Sequence, residues 1–390
     1  MTFPSNLTQR KISLWTVVAS LSVMSLMIGC DKGPVLNEFT DFTFAGEQFN
    51  KSSNGAVGRS VRKIEIDNQF GDVEIVTSDG PGSMSWDCSC WAATKQEAEA
   101  FLQQVQLKEF TSGITQTWTL QAPRGPWEVD GIKSNIKLAL PATANVDVKN
   151  RFGNVSIEGS EADIKLINLY GHIVAKDLTG KSEFENGFGS IKVDNVAQCR
   201  TSNSHGNTTI NNVNGMLEAK NSFGLLEVNG VQGPATIENS KGNVFAKNIT
   251  GKATLKTGYA TLDVDGVTGD ANLTNSHGRI YAKNLNGSTV RVGNSFGPIE
   301  LGTAATSVEC TNQYGKVDAK LTNPEFLNTK ISTKFNDVSL QLPQSTTPAF
   351  KLNASGGKVT SEFAGEAATS SQTVEISTEK GNVFVKKTTE

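Results

Sequence analysis

The sequence predicts an all-β protein: a parallel β-helix, or solenoid, with coils of about 18 residues and an N-terminal cap containing one short helix. The first observation is a recurring tetrapeptide, Asn-x-aromatic-Gly. It stands at Asn68–Gly71, Asn150–Gly153, Asn168–Gly171, Asn186–Gly189, Asn221–Gly224, Asn294–Gly297 and Asn312–Gly315. Asn203–Gly206 and Asn275–Gly278 carry His in the aromatic place, Asn239–Gly242 carries Lys, and Thr257–Ala260 keeps only Tyr259. The second is its spacing: from Gly153 to Gly315 the steps are all 17 to 19 residues. The third is what lies between. After each Gly, apolar residues alternate, as in Leu226 and Val228 or Leu262 and Val264, and a second alternating run such as Ala235, Ile237, Asn239 leads to the next corner. Runs this short, with period two and bounded by Gly and Asn, are strands joined by turns.

One such coil cannot bury its apolar face alone. Stacked coils can, because residue i then lies over residue i+18 at about 4.8 Å. The Asn shares phase with Ile237 and Leu273, so it points inward, where stacked amides can hydrogen-bond along the axis and satisfy turn backbone groups. The Gly supplies a backbone angle that a Cβ forbids.

Composition excludes more than it proposes. A net charge of −3 over 390 residues, without a Lys/Arg block, argues against nucleic-acid binding. Thirty-seven glycines against 11 prolines suit many regular turns rather than a flexible linker. Three histidines and five cysteines are little material for a metal or nucleophile site. No catalytic residue, metal ligand or cofactor is therefore assigned, and the protein is read as a non-enzyme.

Residues 1–29 form an export signal: Arg10 and Lys11 precede an uncharged apolar run from Ile12 to Gly29. The run ends Leu26-Met27-Ile28-Gly29-Cys30, which resembles the lipobox of bacterial lipoproteins, with Met27 in place of the usual Leu. That resemblance implies cleavage before Cys30, a lipid on its sulfur, and a chain held to a membrane outside the cytoplasm. Asp31 resembles the signal that retains lipoproteins in the inner membrane. The alternative for the same run is an uncleaved membrane span. Residues 30–60, with Gly33, Pro34, Ser52, Ser53, Asn54 and Gly55, read as a tether.

Residues 61–149 read as a capping region for the open end of the stack. Ile64, Ile66, Val73 and Ile75 alternate, Thr94–Leu107 has the pattern of one amphipathic helix, and Ile136-x-Leu138-x-Leu140-Pro141 leads into the repeats. Residues 150–390 are the β-helix. Its later repeats lengthen: Asn336 and Gly357 take the Gly place at steps of about 21, Gly381 follows after about 24, and loops bulge at Asn323-Pro324 and Pro343–Pro348.

Lys137–Gly159 (KLALPATANVDVKNRFGNVSIEG), followed by repeated N-x-F/Y-G-x-I/V-x-V, resembles the bacterial putative-adhesin family of β-strand-repeat envelope proteins. The resemblance spans roughly residues 60–390. It implies a β-helical fold and an envelope location, and it brings no catalytic residues.

The aromatic place forms one column: Phe152, Tyr170, Phe188, His205, Phe223, Lys241, Tyr259, His277, Phe296 and Tyr314. A column that accepts Lys and His is not deeply buried. It is either a ring stack that stiffens the corner or an exposed stripe that stacks on sugars or grips a partner. Among the charges, Glu300 and Asp318 fall on adjacent coils, while Lys247, Asp265 and Lys283 alternate in sign as a solvated ladder. Cys199 and Cys310 lie inward but six coils apart, beyond disulfide reach, and Cys88-Ser89-Cys90 places two thiols on one strand face without a His nearby. His172, His205 and His277 read as turn residues. The function expected is a lipid-anchored rod acting as adhesin or scaffold, its contact an envelope glycan or protein. The alternatives are a polysaccharide-processing enzyme on the same fold and an envelope-stress or assembly component that binds a membrane protein.

Overall fold

The computed structural model describes residues 44–123, 129–363 and 370–388. The export signal, Cys30 and Asp31 lie outside these residues. Among the described residues no helix is long and apolar enough to cross a membrane.

The chain winds as a parallel β-solenoid of about 11 turns with roughly 18-residue spacing. Each regular coil carries two strands. One carries the Asn column, as in Leu217–Phe223, and the next follows the Gly, as in Leu226–Val231. Successive coils pair in parallel and in register: Asn150, Asn168, Asn186, Asn203, Asn221 and Asn239 are consecutive partners. Inward residues of both strand rows, such as Leu226, Val228, Ala235 and Ile237, join one continuous core. The Asn side chains are buried with them.

Glycine has two reasons to stand in the corner. Gly153, Gly171, Gly189, Gly206 and Gly224 have φ between +102° and +128°, closed to most side chains. Gly242, Gly278, Gly297 and Gly315 are not among the positive-φ residues. There a Cβ would collide with the carbonyl of the coil below.

The ends depart from the sequence reading. Residues 63–70 and 73–77 are not part of a separate cap. They form a coil of the stack, with Asn68 paired to Asn150 and Phe70 to Phe152. The next coil in sequence, Thr115–Gln121 with Gly131–Leu140, sits on its other side. The β-helix therefore begins near residue 63 rather than 150. The cap is narrower: Ser83–Ala92 runs antiparallel to Gly131–Leu140, Gln106–Ser112 runs antiparallel to Thr115–Gln121, and the helix packs alongside.

The tether is also shorter than expected. Glu47–Ala56, inside the span read as linker, is a strand paired antiparallel with Ser83–Ala92. Its Lys51 ammonium donates to the carbonyls of Leu102 (3.0 Å) and Val105 (2.8 Å), capping the helix C-terminus. That helix covers Lys95–Gln104, starting at the Thr94/Glu97 capping box. It buries Ala98, Phe101 and Leu102, and it stops short of Leu107 because a strand starts at Gln106.

The C-terminal end repeats the inversion. Thr373–Thr378 pairs with both Asn328–Thr333 and Ala349–Ala354, and Val383–Thr388 with both Val338–Pro343 and Val359–Ser361. The last coil in sequence is thus inserted between the two that precede it. At both ends the terminal coil lies inside the stack and its sequence neighbour lies outside.

Candidate functional site

The aromatic column is two stacks. The first runs Phe70, Phe152, Tyr170, Phe188, His205, Phe223, with centroids 4.6–5.7 Å apart and planes within 10° of parallel. The second runs Tyr259, His277, Phe296, Tyr314, Phe335 at 4.7–4.9 Å. The rings lie over one another because parallel, in-register coils repeat at the strand spacing. Within each stack the ring faces meet their neighbours.

Both stacks end on a lysine. Lys241 lies over Phe223 at 4.9 Å from the ring centroid, and Lys380 over Phe335 at 5.5 Å. Each contact places an ammonium on the electron-rich ring face. Spacing puts Phe335 in the ring place, directly before Asn336, but Thr333 in place of the Asn kept it out of the column read from the tetrapeptide. The strand register, Asn312 to Thr333, restores it. Phe70 carried the full tetrapeptide and joins the column once its coil is seen to be part of the stack.

The two stacks differ in exposure, except that Phe223 at the end of the first is exposed like the second. Phe152, Tyr170, Phe188 and His205 are half-buried. Phe223, Tyr259, His277, Phe296, Tyr314 and Phe335 are exposed, Tyr259 most of all at 63%.

The backbone explains the difference. In the first stack the Gly N–H donates to the aromatic residue's carbonyl on the next coil, as Gly171 to Phe188 and Gly206 to Phe223. The strand runs on through the ring position. In the second stack the aromatic N–H donates back to the previous coil, as Phe296 to Ser276 and Tyr314 to Ser295. The strand ends at the Asn and the ring rides on a protruding turn.

Asparagine responds in turn. Its Nδ2 donates to a glycine carbonyl one coil below in both stacks, Asn186 to Gly171 and Asn312 to Gly297. Amide-to-amide bonding occurs from Asn68 to Asn150. Asn275 and Asn312 Oδ1 accept from the Gly N–H of their own turn, whereas Asn168, Asn186, Asn203 and Asn221 Oδ1 are buried without a partner.

A second polar column escaped the sequence reading. Asp177, Asn195, Asn212, Asn248 and Asn284 all have φ near +55°, and Gly230 and Gly266 take the same place. The signal was an Asn, Asp or Gly directly before each coil's third inward apolar residue, as in Asn195-Val196 and Asn284-Leu285. Asn195 donates to Asp177 (2.9 Å) and Asn284 to Asp265 (2.7 Å). These amides, with Lys176 and Lys283 beside them, hold both carboxyls below the ordinary value of 3.8.

Of Glu300, Asp318, Lys247, Asp265 and Lys283, the charges singled out in the sequence, all but Lys247 are in ion pairs within or between coils. Asp265 meets Lys283 at 3.3 Å, Glu300 meets Arg279 at 3.7 Å, and Asp318 meets Lys316 at 2.9 Å. Among the described residues no three His, Cys, Asp or Glu gather as metal ligands. His172 is brought to a serine that lies 18 residues away: its Nδ1 is 2.7 Å from Ser190 Oγ and accepts the Ser190 N–H at 3.0 Å. That ring nitrogen does what Asn154 Oδ1 does for the His172 N–H and Asn207 Oδ1 for the Leu225 N–H, so it belongs to a corner ladder. Cys88, Cys90, Cys199 and Cys310 are buried free thiols. Burial pushes Cys88, Cys199 and Cys310 up to about 12, which leaves them unreactive.

The Toastrack DUF4097 family model matches residues 61–386. No curated protein matches the chain. Among solved structures, a putative cell adhesion protein from Clostridium sporogenes is 10% identical, with 87% of this chain and 100% of that chain covered and a TM-score of 0.20. A putative adhesin from Bacteroides fragilis is 12% identical (88% and 98% covered, TM-score 0.24), and one from Parabacteroides distasonis 11% (88% and 98%, 0.22). Likeness at these values carries no argument about activity.

Proposed function

The chain belongs to the Toastrack DUF4097 family, and from that premise, which names an architecture and no activity, we propose that it is a non-catalytic adhesin or scaffold of the cell envelope, held to the membrane by lipid on Cys30. Its contact surface is the exposed half of the aromatic column. The observation that carries this is the line Phe223, Tyr259, Phe296, Tyr314, Phe335, five large apolar side chains each at least 40% exposed on a single side of a rigid stack. Aligned apolar exposure of this kind marks a contact surface rather than scattered surface hydrophobics. Because the ring faces are engaged with one another except at the gap before Tyr259, the stripe offers mainly edges. Edges suit a partner that lies along the rod more than sugars that must stack face to face.

The test has two parts. Photo-crosslinking from position 296 in living cells, followed by separation of the two membranes, identifies the partner and the membrane together. The Phe223/Phe296/Tyr314→Ala variant, shown to fold by its denaturation midpoint, is expected to lose those crosslinks and any retention on cell-wall glycans. Unchanged crosslinks in the folded variant overturn the stripe as contact surface. Recovery of the mature chain unlipidated in the medium overturns the anchor.

A further inference from the structure

The break in the aromatic column is itself a site. Between Phe223 and Tyr259 lies one coil, that of Lys241, so the two rings face each other across two coil rises, about 9.6 Å. On either side every coil carries a ring, at 4.8 Å for His205–Phe223 and 4.7 Å for Tyr259–His277. One rung is missing and the rungs that flank it are in place.

The two faces that border the gap are not equivalent. Phe223 is covered by the Lys241 ammonium. Tyr259 has its far face on His277, while the face toward the gap has no ring or cation over it among the described residues, and its side chain is the most exposed of the column. Lys241 is exposed and pairs with no carboxylate among the described residues. Its coil is also where the corner changes type. Lys241 N–H already donates back to Ser222, whereas Gly206 N–H still donates forward to Phe223. Lys380 provides an internal contrast: it ends the second stack in the same way, but the coil beyond it has Gly356 in the ring place, so no ring of that coil faces it.

From this geometry we infer that the Lys241–Tyr259 gap binds a planar aromatic ring bearing a carboxylate, such as the C-terminal aromatic residue of a peptide. The ring takes the rung on Tyr259 that the Lys241 chain now covers on the Phe223 side, where stacking on a flat face is favourable. The carboxylate meets the Lys241 ammonium as that chain swings off Phe223, exchanging a cation–π contact for a charge-assisted hydrogen bond. The site shares Tyr259 with the contact stripe, but its test is independent of the adhesive reading, since it is measured on purified protein with a small molecule.

The experiment is saturation-transfer NMR on the purified full chain with N-acetyltryptophan, titrated beside its uncharged amide. Both probes are expected to bind in the millimolar range, the acid more tightly. Tyr259→Ala is expected to weaken both by about three- to tenfold, the worth of one ring contact. Lys241→Gln should remove the preference for the acid while keeping the amide's affinity. Lys241→Phe fills the rung and should abolish binding of both. Phe188→Ala, within the continuous first stack, should leave affinity unchanged. Absence of binding to the wild type overturns the site, as does affinity unmoved by Tyr259→Ala or Lys241→Phe. Because Lys241→Phe adds a ring that continues an existing stack, it keeps the question open to test should Tyr259→Ala disturb the turn.

Discussion

The coils up to Gly224 and those from Lys241 onward share one tetrapeptide and one period, yet they turn their corners differently. In the first region a glycine at positive φ points its N–H up the stack, the strand continues through the ring, and every ring but the last, Phe223, is half-buried. In the second the strand stops at the Asn or Thr, the turn donates N–H groups back to the previous coil, the Oδ1 of Asn275 and Asn312 takes the Gly N–H, and the rings stand in solvent. The contrast shows that Asn-x-aromatic-Gly encodes a corner without encoding which hydrogen bond closes it. Each backbone N–H needs a partner. From Gly71 to Gly206 the Gly N–H finds it on the next coil, and at Gly278 and Gly315 on the local asparagine.

That comparison is broken most severely at glycine. Gly171→Ala should destabilise more than Gly297→Ala, because it adds a φ of +128° to the clash with the coil below. The second region already holds a Cβ in this place, at Ala260. Expected losses in chemical denaturation are about 3 kcal/mol or more for Gly171→Ala and about 1–2 kcal/mol for Gly297→Ala. Equal losses would mean that the two corners do not differ in strain.

Asparagine gives the next largest contrast, in the opposite direction. Asn312 makes two bonds, to the Gly297 carbonyl and from the Gly315 N–H, while Asn186 donates one and leaves Oδ1 unpaired. Asn312→Ala should cost about 2–3 kcal/mol and Asn186→Ala about 1 kcal/mol less, since removing a buried, unpaired acceptor returns part of the cost of burying it. Denaturation midpoints of the two variants decide it.

Joining the regions is expected to be a smaller gain. Lys241→Phe makes the two stacks one and should stabilise by about 0.5–1.5 kcal/mol, visible as a raised midpoint. A lowered midpoint would show that the second type of corner cannot hold a ring beside the first. The smallest effect is acid sensitivity at the Asp/Asn column, which runs through both regions. Asp177 and Asp265 have folded values below the ordinary 3.8, so the unfolded chain takes up these protons first as pH falls. Their contribution is complete above about pH 4 and disappears as pH drops through the lower folded values. The Asp177→Asn/Asp265→Asn variant should therefore show a shallower fall in stability below about pH 4 than the wild type.

Much of this architecture is legible before folding. The Asn column, the inward pairs such as Leu226 and Val228, and the ring column all follow from an 18-residue period, because in-register parallel stacking maps sequence period directly onto spatial neighbours. The second polar column was equally periodic but easy to overlook. Its residues are exposed, chemically mixed and recognisable only by the left-handed angle that Asn, Asp and Gly tolerate. Phe335 was hidden by the Thr333 that stands in place of the Asn, and Glu47–Ala56 by the Ser, Asn and Gly that made a strand look like linker. The half-burial of Phe152, Tyr170 and Phe188 had no signal at all, since their tetrapeptides match those of Phe296 and Tyr314.

Stacking order shows the same limit at larger scale. By itself the sequence determined the coil: its period, its inward residues, its corners and the rings that stand on them, all consequences of local alternation and turn chemistry. Only the tertiary structure decided which coil lies on which. Every coil offers the same phase of backbone donors and acceptors, so residues 373–388 fit equally well as the end of the rod or as the layer between 328–343 and 349–361. The choice, like the choice between Gly N–H partners at the corner, belongs to long-range pairing, where sequence neighbours hold no privilege over strands that close the same hydrogen bonds.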